Sequence, residues 1–387
     1  MFIKVYKEDV IEGLQKAANI LPTKTGAAYL RSIWLKAEDG VVQIMATDSN
    51  TEFRGIYTGE VIKPGIVGVQ GRIFVELLRK LPGGQMSFSF EEGSGNMIVE
   101  QVQGRRRREF KLPVNGPEWF QNFSEFPEEN AAVWSGDYLA ELIEKISFCI
   151  SDDESSESLS CLLVRPVDSG FIDACGLNGH QFAQQRFLHD ELHAMLPKEG
   201  ILIQKKYITE LKKWLGSMEI EMNINDKRLF FRTADKKETF SMPLSGYQYP
   251  DYTAFLSRLQ DAGASALSVQ RRDMRETLDR LFTFATGDSY TYLDLSENEV
   301  VLSSTGQDKG SATETLDAEY SGTIGKIAFS TKNLLDILDH YHSERLTFIL
   351  TGSEGPCGIK GLDDAEYTVI IMPMKIVEET YYSEEDA

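Results

Sequence analysis

The sequence predicts an α+β protein of three repeated domains, each with two amphipathic helices packed on one face of a curved antiparallel sheet. Three observations lead there. Segments with helical period alternate with segments of strand period; the same order of segments recurs three times; and the copies are spaced by roughly 125–135 residues, the size of a domain and not of a solenoid repeat. The repeats run over residues 1–127, 128–252 and 253–376, followed by an acidic tail at 377–387.

In the first copy, residues 9–18 place Val10, Leu14 and Ala17 at i, i+4 and i+7, one face of a helix. A strand follows at 41–48, then a helix at 72–81 stopped by Pro82-Gly83-Gly84. Strands at 86–90 and 97–100 flank a glycine-rich turn. The second copy repeats the pattern with helix 138–146, strand 170–176 and helix 206–215. The third has helix 274–282, strand 300–305, helix 332–338 and a final strand from Tyr367 into Met374. Alternation along the strands implies a buried and a wet sheet face. Three such units in line leave two free sheet edges, which a second copy of the chain could satisfy.

The 387 residues are 42% hydrophobic and 10% aromatic, enough for a sizeable core. No uninterrupted apolar stretch is long enough to cross a membrane as a helix, and the start lacks a signal-peptide core, so a cytoplasmic protein without membrane partners is expected. Cys149, Cys161, Cys175 and Cys357 show no CxxC spacing and read as buried free thiols. The net charge of −20 argues on its face against a nucleic-acid partner. However, the charge is segregated. Acidic runs lie at Asp152-Asp153-Glu154 and Glu384-Glu385-Asp386, and basic clusters at Arg105–Arg108, Lys205-Lys206, Lys212-Lys213 and Arg271-Arg272.

The sequence holds no phosphate-cradling GxxxxGK[ST] loop, no GxGxxG turn and no GxSxG elbow. His189-Asp190-Glu191-Leu192-His193 is not HExxH and reads as a polar loop. His340 and His342 read as capping or solvated residues near a helix end, and 152–158 as a solvated loop. No catalytic residue, metal site or cofactor is expected. The rival class is a hydrolase or transferase whose site is assembled from unrelated positions, and turnover of a nucleotide by the pure protein would favour it.

Ala46-Thr47-Asp48, Asn178-Gly179-His180, Tyr249-Pro250-Asp251-Tyr252 and the terminal Met372-Pro373-Met374-Lys375 together resemble the bacterial sliding clamps, the beta subunits of DNA polymerase III, over essentially the whole chain. The resemblance implies a non-enzymatic processivity factor in which three clamp-type domains per chain close, head to tail with a second chain, into a six-domain dimeric ring. Helices would line the hole and meet duplex DNA without sequence preference. It implies DNA contacts at Lys24, Arg72, Arg79, Arg107, Lys205 and Lys206, and a dimer interface built from Phe110 and Leu112 on an edge strand with Phe284 opposite.

It further implies a hydrophobic cleft for short peptides of the replicative polymerase, the clamp loader, repair polymerases and mismatch-repair proteins. One lobe would be Leu159, Leu177, Gly179, His180, Phe182, Pro250 and Phe255. The other would be Ser330, Asn333, Pro356, Ile370, Met372, Pro373 and Met374. Apolar groups would supply the affinity, and methionine would adapt to differing partners. The chain departs from the family pattern in four places. Gly176 to Phe182 reads Gly-Leu-Asn-Gly-His-Gln-Phe where relatives often have Thr-Asp-Gly-His-Arg-Leu, Ser156 and Ser158 stand where relatives can carry Arg and Tyr, Ser330 and Asn333 replace polar and aromatic residues, and Val377 to Ala387 extends past the usual end.

Overall fold

A computed structural model describes residues 1–22, 27–260, 263–284, 290–306 and 309–376. Its helices are α1 (Lys7–Ile20), α2 (Gly71–Lys80), α3 (Gly136–Ser147), α4 (Asp190–Met195), α5 (Lys205–Trp214), α6 (Thr253–Arg258), α7 (Arg271–Phe282) and α8 (Thr331–Asp339). The expected helices are all present, with ends that differ by one to three residues, where sequence signals are weakest. α1 buries Val10, Gly13, Leu14, Ala17 and Ile20. Gly13 is required by packing, since a Cβ there would lie 1.9 Å from the Tyr57 hydroxyl. α2 buries Phe74, Val75 and Leu78 and ends on Arg79 and Lys80, cations suited to a helix C-terminus.

The chain divides into two compact units, Met1–Ile143 with His189–Gly246, and Glu144–Leu188 with Tyr247 onward. The middle repeat contributes to both. In the first unit one thirteen-stranded sheet runs in the order Ala132–Ser135, Glu219–Ile224, Arg228–Thr233, Glu238–Pro243, Glu52–Thr58, Val41–Thr47, Ser32–Glu38, Gly65–Gln70, Arg106–Asn115, Asn96–Gln103, Gln85–Phe90, Phe2–Tyr6, Glu60–Lys63. α1 packs on its strands and touches both α2 and α5. The second unit's sheet runs Cys161–Pro166, Phe171–Leu177, Gln181–Leu188, Tyr367–Ile371, Cys357–Gly361, Arg345–Leu350, Ser265–Gln270, Gly310–Ser321, Glu299–Gly306, Tyr290–Ser296, Lys326–Ser330. α7 and α8 pack together beside it. The strand pairings within these orders are antiparallel.

Consecutive repeats are joined by strand pairing in the same way in each unit. The last strand of one repeat, Glu238–Pro243, pairs with Glu52–Thr58 of the repeat before it, with Phe240 opposite Phe53. Tyr367–Ile371 pairs likewise with Gln181–Leu188, with Ile370 opposite Phe182. The cores are aromatic: Phe53, Phe74, Phe88, Phe230, Phe231 and Phe240 in the first unit, and Phe182, Phe329, Phe348, Tyr252, Tyr341 and Tyr367 in the second. The four cysteines are buried free thiols. His189–His193 differs from the polar loop expected. His189 caps α4 by accepting from the Leu192 N–H, and its ring stacks on Trp134 at 5.1 Å.

Candidate functional site

Two surfaces emerge, one basic and one apolar. The basic one depends on a buried carboxylate that the sequence did not flag. Glu238, 7% exposed, accepts from Lys16 Nζ (2.8 Å), Tyr57 Oη (2.7 Å) and Trp214 Nε1 (3.1 Å), tying α1, strand Glu52–Thr58 and α5 to one point. Burial works against the Lys16 charge, yet the hydrogen bond to Glu238 raises its pKa above the ordinary lysine value. Burial first, then the same carboxylate, pushes the Tyr57 phenol well above its usual range.

With the helices so fixed, the start of α2 and one face of α5 border one depression of about 480 Å³ beside the end of α1. Arg72, Lys206 and Lys213 supply its cations, and Asp48 and Glu210 its acids. Arg72 Nη2 donates to the Leu21 carbonyl at 2.7 Å, fixing the guanidinium at the rim. Lys206 Nζ lies 5.2 Å from the centre of the Tyr207 ring, and Lys205 begins the same helix. Arg79 is exposed in the last turn of α2, beside Lys80, which pairs with Glu76.

Lys24 lies outside the described residues. Arg107 is not with the helices: it sits on strand Arg106–Asn115, paired with Glu100 (2.5 Å) and Glu109 (3.5 Å). In the third repeat the arginines are largely committed. Arg271 donates to the Ser343 and Leu338 carbonyls, Arg272 pairs with Glu276, Arg275 with Asp339 and Arg280 with Glu314.

The apolar surface lies within the second unit. Gly179 has φ +91°, a left-handed conformation that glycine adopts without strain. Asn178 Oδ1 accepts from the His180 and Gln181 N–H groups at 3.0 and 2.8 Å, which fixes the turn. The final segment is pinned at two points: Met372 N–H donates to the His180 carbonyl (2.9 Å) and Met374 N–H to the Ala328 carbonyl (2.7 Å). Ser330 caps α8 by accepting from the Asn333 N–H at 3.4 Å, so these two residues act as a pair.

Burial sorts the expected cleft residues into a rim and a floor. Gly179, His180, Pro250, Met372 and Met374 are exposed, the two methionines by 38% and 37%. Leu159, Leu177, Phe255, Ser330, Asn333 and Pro373 are half-buried. Phe182, Ile370 and Pro356 are buried. Leu177, Phe182 and Ile370 stand in register across three strands, and Leu159 lies in a turn packed beside the strand that ends at Leu177. An apolar floor under an adaptable methionine rim suits capture of apolar side chains. Among the described residues no cluster of metal-ligating side chains is present.

Strand Arg106–Asn115 pairs along its length with Asn96–Gln103 but meets Gly65–Gln70 only at Val114 and Asn115. Among the described residues, the other edge of 106–113 therefore carries no partner strand. Phe110 is half-buried and Leu112 is 7% exposed. Gly310–Ser321 has a corresponding open edge along 310–317, where among the described residues it pairs only with Glu299–Gly306. Phe284, half-buried, follows α7 and presents its carbonyl next to Gly306 in that hairpin.

Residues 1–124 match the family described as the N-terminal domain of the DNA polymerase III beta subunit, and residues 261–375 match its C-terminal domain. The beta sliding clamp of Pseudomonas aeruginosa is 23% identical over 97% of this chain and all of its own. The crystal structure of the DNA polymerase sliding clamp from Caulobacter crescentus superposes with a TM-score of 0.88 at 21% identity, covering 97% of this chain and 100% of that one. The sliding clamp of Bartonella birtlesii bound to griselimycin gives a TM-score of 0.87 at 23% identity, with the same coverage.

Proposed function

This chain belongs to the DNA polymerase III beta-subunit family, and from that premise we propose that it is a DNA sliding clamp: a homodimeric ring that encircles duplex DNA and tethers the replicative polymerase and other partners through its apolar cleft. Its work is topological and adhesive, with no catalytic step. The three domains per chain are 1–127, 128–252 and 253–376.

The observation that carries the ring is the repeated strand junction. Twice, the last strand of one repeat pairs with the same kind of hairpin strand in the repeat before it. Among the described residues, the one last strand left without such a partner is Arg106–Asn115, and the one hairpin strand left over is Gly310–Ser321. Joining 106–113 of one chain to 310–317 of another pairs both of these open edges and, made twice, closes two chains into a ring. Charge supports the same pairing, because Arg105–Arg108 would run beside a strand edge carrying Glu314 and Asp317. Phe110 would bring the apolar centre and Phe284 would sit behind the receiving hairpin.

DNA contact is supported by Arg72 of α2 and Lys206 and Lys213 of α5, which border one depression beside Leu21 and Pro22. Lysine and arginine reaching phosphate, with no side chain committed to base edges, allow sliding. The −20 net charge remains compatible because the acids lie largely elsewhere on the chain. Sedimentation equilibrium tests the architecture. Two chains of 43.6 kDa give about 87 kDa, and this mass should persist at micromolar concentration with a scattering profile of a hollow particle. A 43.6 kDa species under those conditions overturns the ring.

A further inference from the structure

We propose that Asp173 and Tyr252 are positioning residues for the peptide cleft, setting the segment that carries Pro250 and Phe255 without touching a bound peptide. The inference rests on the cleft reading above and adds a part of it that no motif marks.

Asp173 is a carboxylate in an apolar sheet face, 1% exposed. A charge so placed must be paired and fully hydrogen-bonded. Strand register supplies the pairing: Arg165 lies opposite Asp173 on one side and Arg186 on the other, so the three side chains stand in a row across three strands. Arg186 donates from Nε and Nη2 to the two carboxylate oxygens at 2.7 and 3.1 Å. One carboxylate oxygen also receives the Tyr252 hydroxyl proton at 2.8 Å. The hydroxyl oxygen in turn accepts from Arg165 Nη2 at 2.8 Å, and the Arg165 guanidinium lies 4.7 Å from the Tyr252 ring centre.

Tyr252 is thereby held at its polar end by two charged groups, Asp173 and Arg165, with Arg186 fixing the carboxylate. Its ring stacks on Phe182 at 5.3 Å with 24° between planes, and Phe182 is the centre of the Leu177–Phe182–Ile370 row. Tyr252 also starts the turn into α6, its carbonyl accepting from the Phe255 N–H at 3.1 Å, while Asp251 Oδ1 receives the Thr253 N–H at 2.9 Å. Pro250 lies two residues before this anchor and Phe255 three after it. A phenylalanine ring would fill the same space, but only the hydroxyl fixes how far the segment slides across the sheet. The buried charge row thus sets the separation between Pro250, Phe255 and the 177–180 turn.

The test is Tyr252→Phe in the full-length protein. Binding of a fluorescein-labelled synthetic peptide from the host's replicative polymerase is followed by anisotropy, and hydrogen exchange of the α6 amides is measured alongside. Loss of one buried, charge-assisted bond should weaken peptide binding about fivefold and speed exchange at Phe255 and Leu256, with the solution mass unchanged. In a Phe255→Ala background the same substitution should add almost nothing, because the anchored group is gone. Equal affinity of wild type and Tyr252→Phe, or a full fivefold loss that persists without Phe255, overturns the proposal while leaving the cleft intact. A wild-type protein that does not bind the peptide removes the cleft reading and this inference together.

Discussion

Truncating Phe110 to alanine is the sharpest perturbation of ring closure. Phe110 lies opposite Val99 on the strand whose outer edge is open, and its ring is half-buried within its own chain. A phenylalanine can bury roughly 150–250 Å², so about 100 Å² of ring remains for a partner to cover. At about 25 cal/mol per Å² that surface stabilises one interface by about 2.5 kcal/mol. A closed dimer has two such interfaces, and the loss is about 5 kcal/mol, or a dissociation constant raised by more than a thousandfold. Sedimentation velocity across a nanomolar to micromolar series measures it. Leu112 is the internal control. It faces the same way but is only 7% exposed in its own chain, opposite Met97. Leu112→Ala should therefore lower stability toward urea by about 2–5 kcal/mol more than it loosens the dimer. An unchanged association constant for Phe110→Ala would take Phe110 out of the interface and refute the edge-pairing argument at its centre.

Two further outcomes follow from the charged groups. Replacing Arg72, Arg79, Lys205 and Lys206 together by alanine should flatten the salt dependence of duplex binding by about 0.9 in log–log slope for each phosphate no longer neutralised, with no change in sequence preference; affinity that holds or rises means these side chains do not face the duplex. Burial alone would raise the Asp364 pKa, but bonds from the Ser343 hydroxyl and the Ser343 and His342 N–H groups, with Lys145 nearby, outweigh it and leave the carboxyl below its ordinary value. A depressed folded pKa adds stability above the unfolded value and loses it as pH falls through the folded one. Asp364→Asn should be less stable than the parent at neutral pH and lose less stability between about pH 5 and pH 3, as urea midpoints would show; parallel pH profiles contradict this.

The helices were legible because periodicity reports burial directly. The apolar positions 10, 14 and 17 read from the sequence are the buried face of α1, and Pro82 ends α2 where its missing N–H demands. The pairing of 238–243 with 52–58 was not legible, since nothing local in either strand names a partner almost two hundred residues away. Nor was the division of the middle repeat between two compact units, which follows from that pairing. Neither Glu238 nor Asp173 carries a motif that sets it apart from other acids in the sequence. Only folding reveals that Lys16, Tyr57 and Trp214 converge on the first, and Arg165, Arg186 and Tyr252 on the second. The resemblance supplied the expected cleft residues but not their depth: Phe182, Ile370 and Pro356 are buried, whereas His180, Met372 and Met374 are exposed. The DNA contact that the resemblance implies at Arg107 says nothing of its setting, a strand on which it pairs with Glu100 and Glu109. Lys24 and the tail at 377–387 fall outside the described residues.

Topological retention tests the central claim most directly. The protein, loaded by its host's clamp loader onto nicked circular DNA and separated from free protein by gel filtration in about 0.5 M salt, where attraction to phosphate is screened, should stay with the circle. It should then leave when one restriction cut makes the DNA linear. A closed ring predicts both results, because only a free end releases it. Protein that dissociates equally from circular and linear DNA, or that stays bound after the cut, contradicts the account.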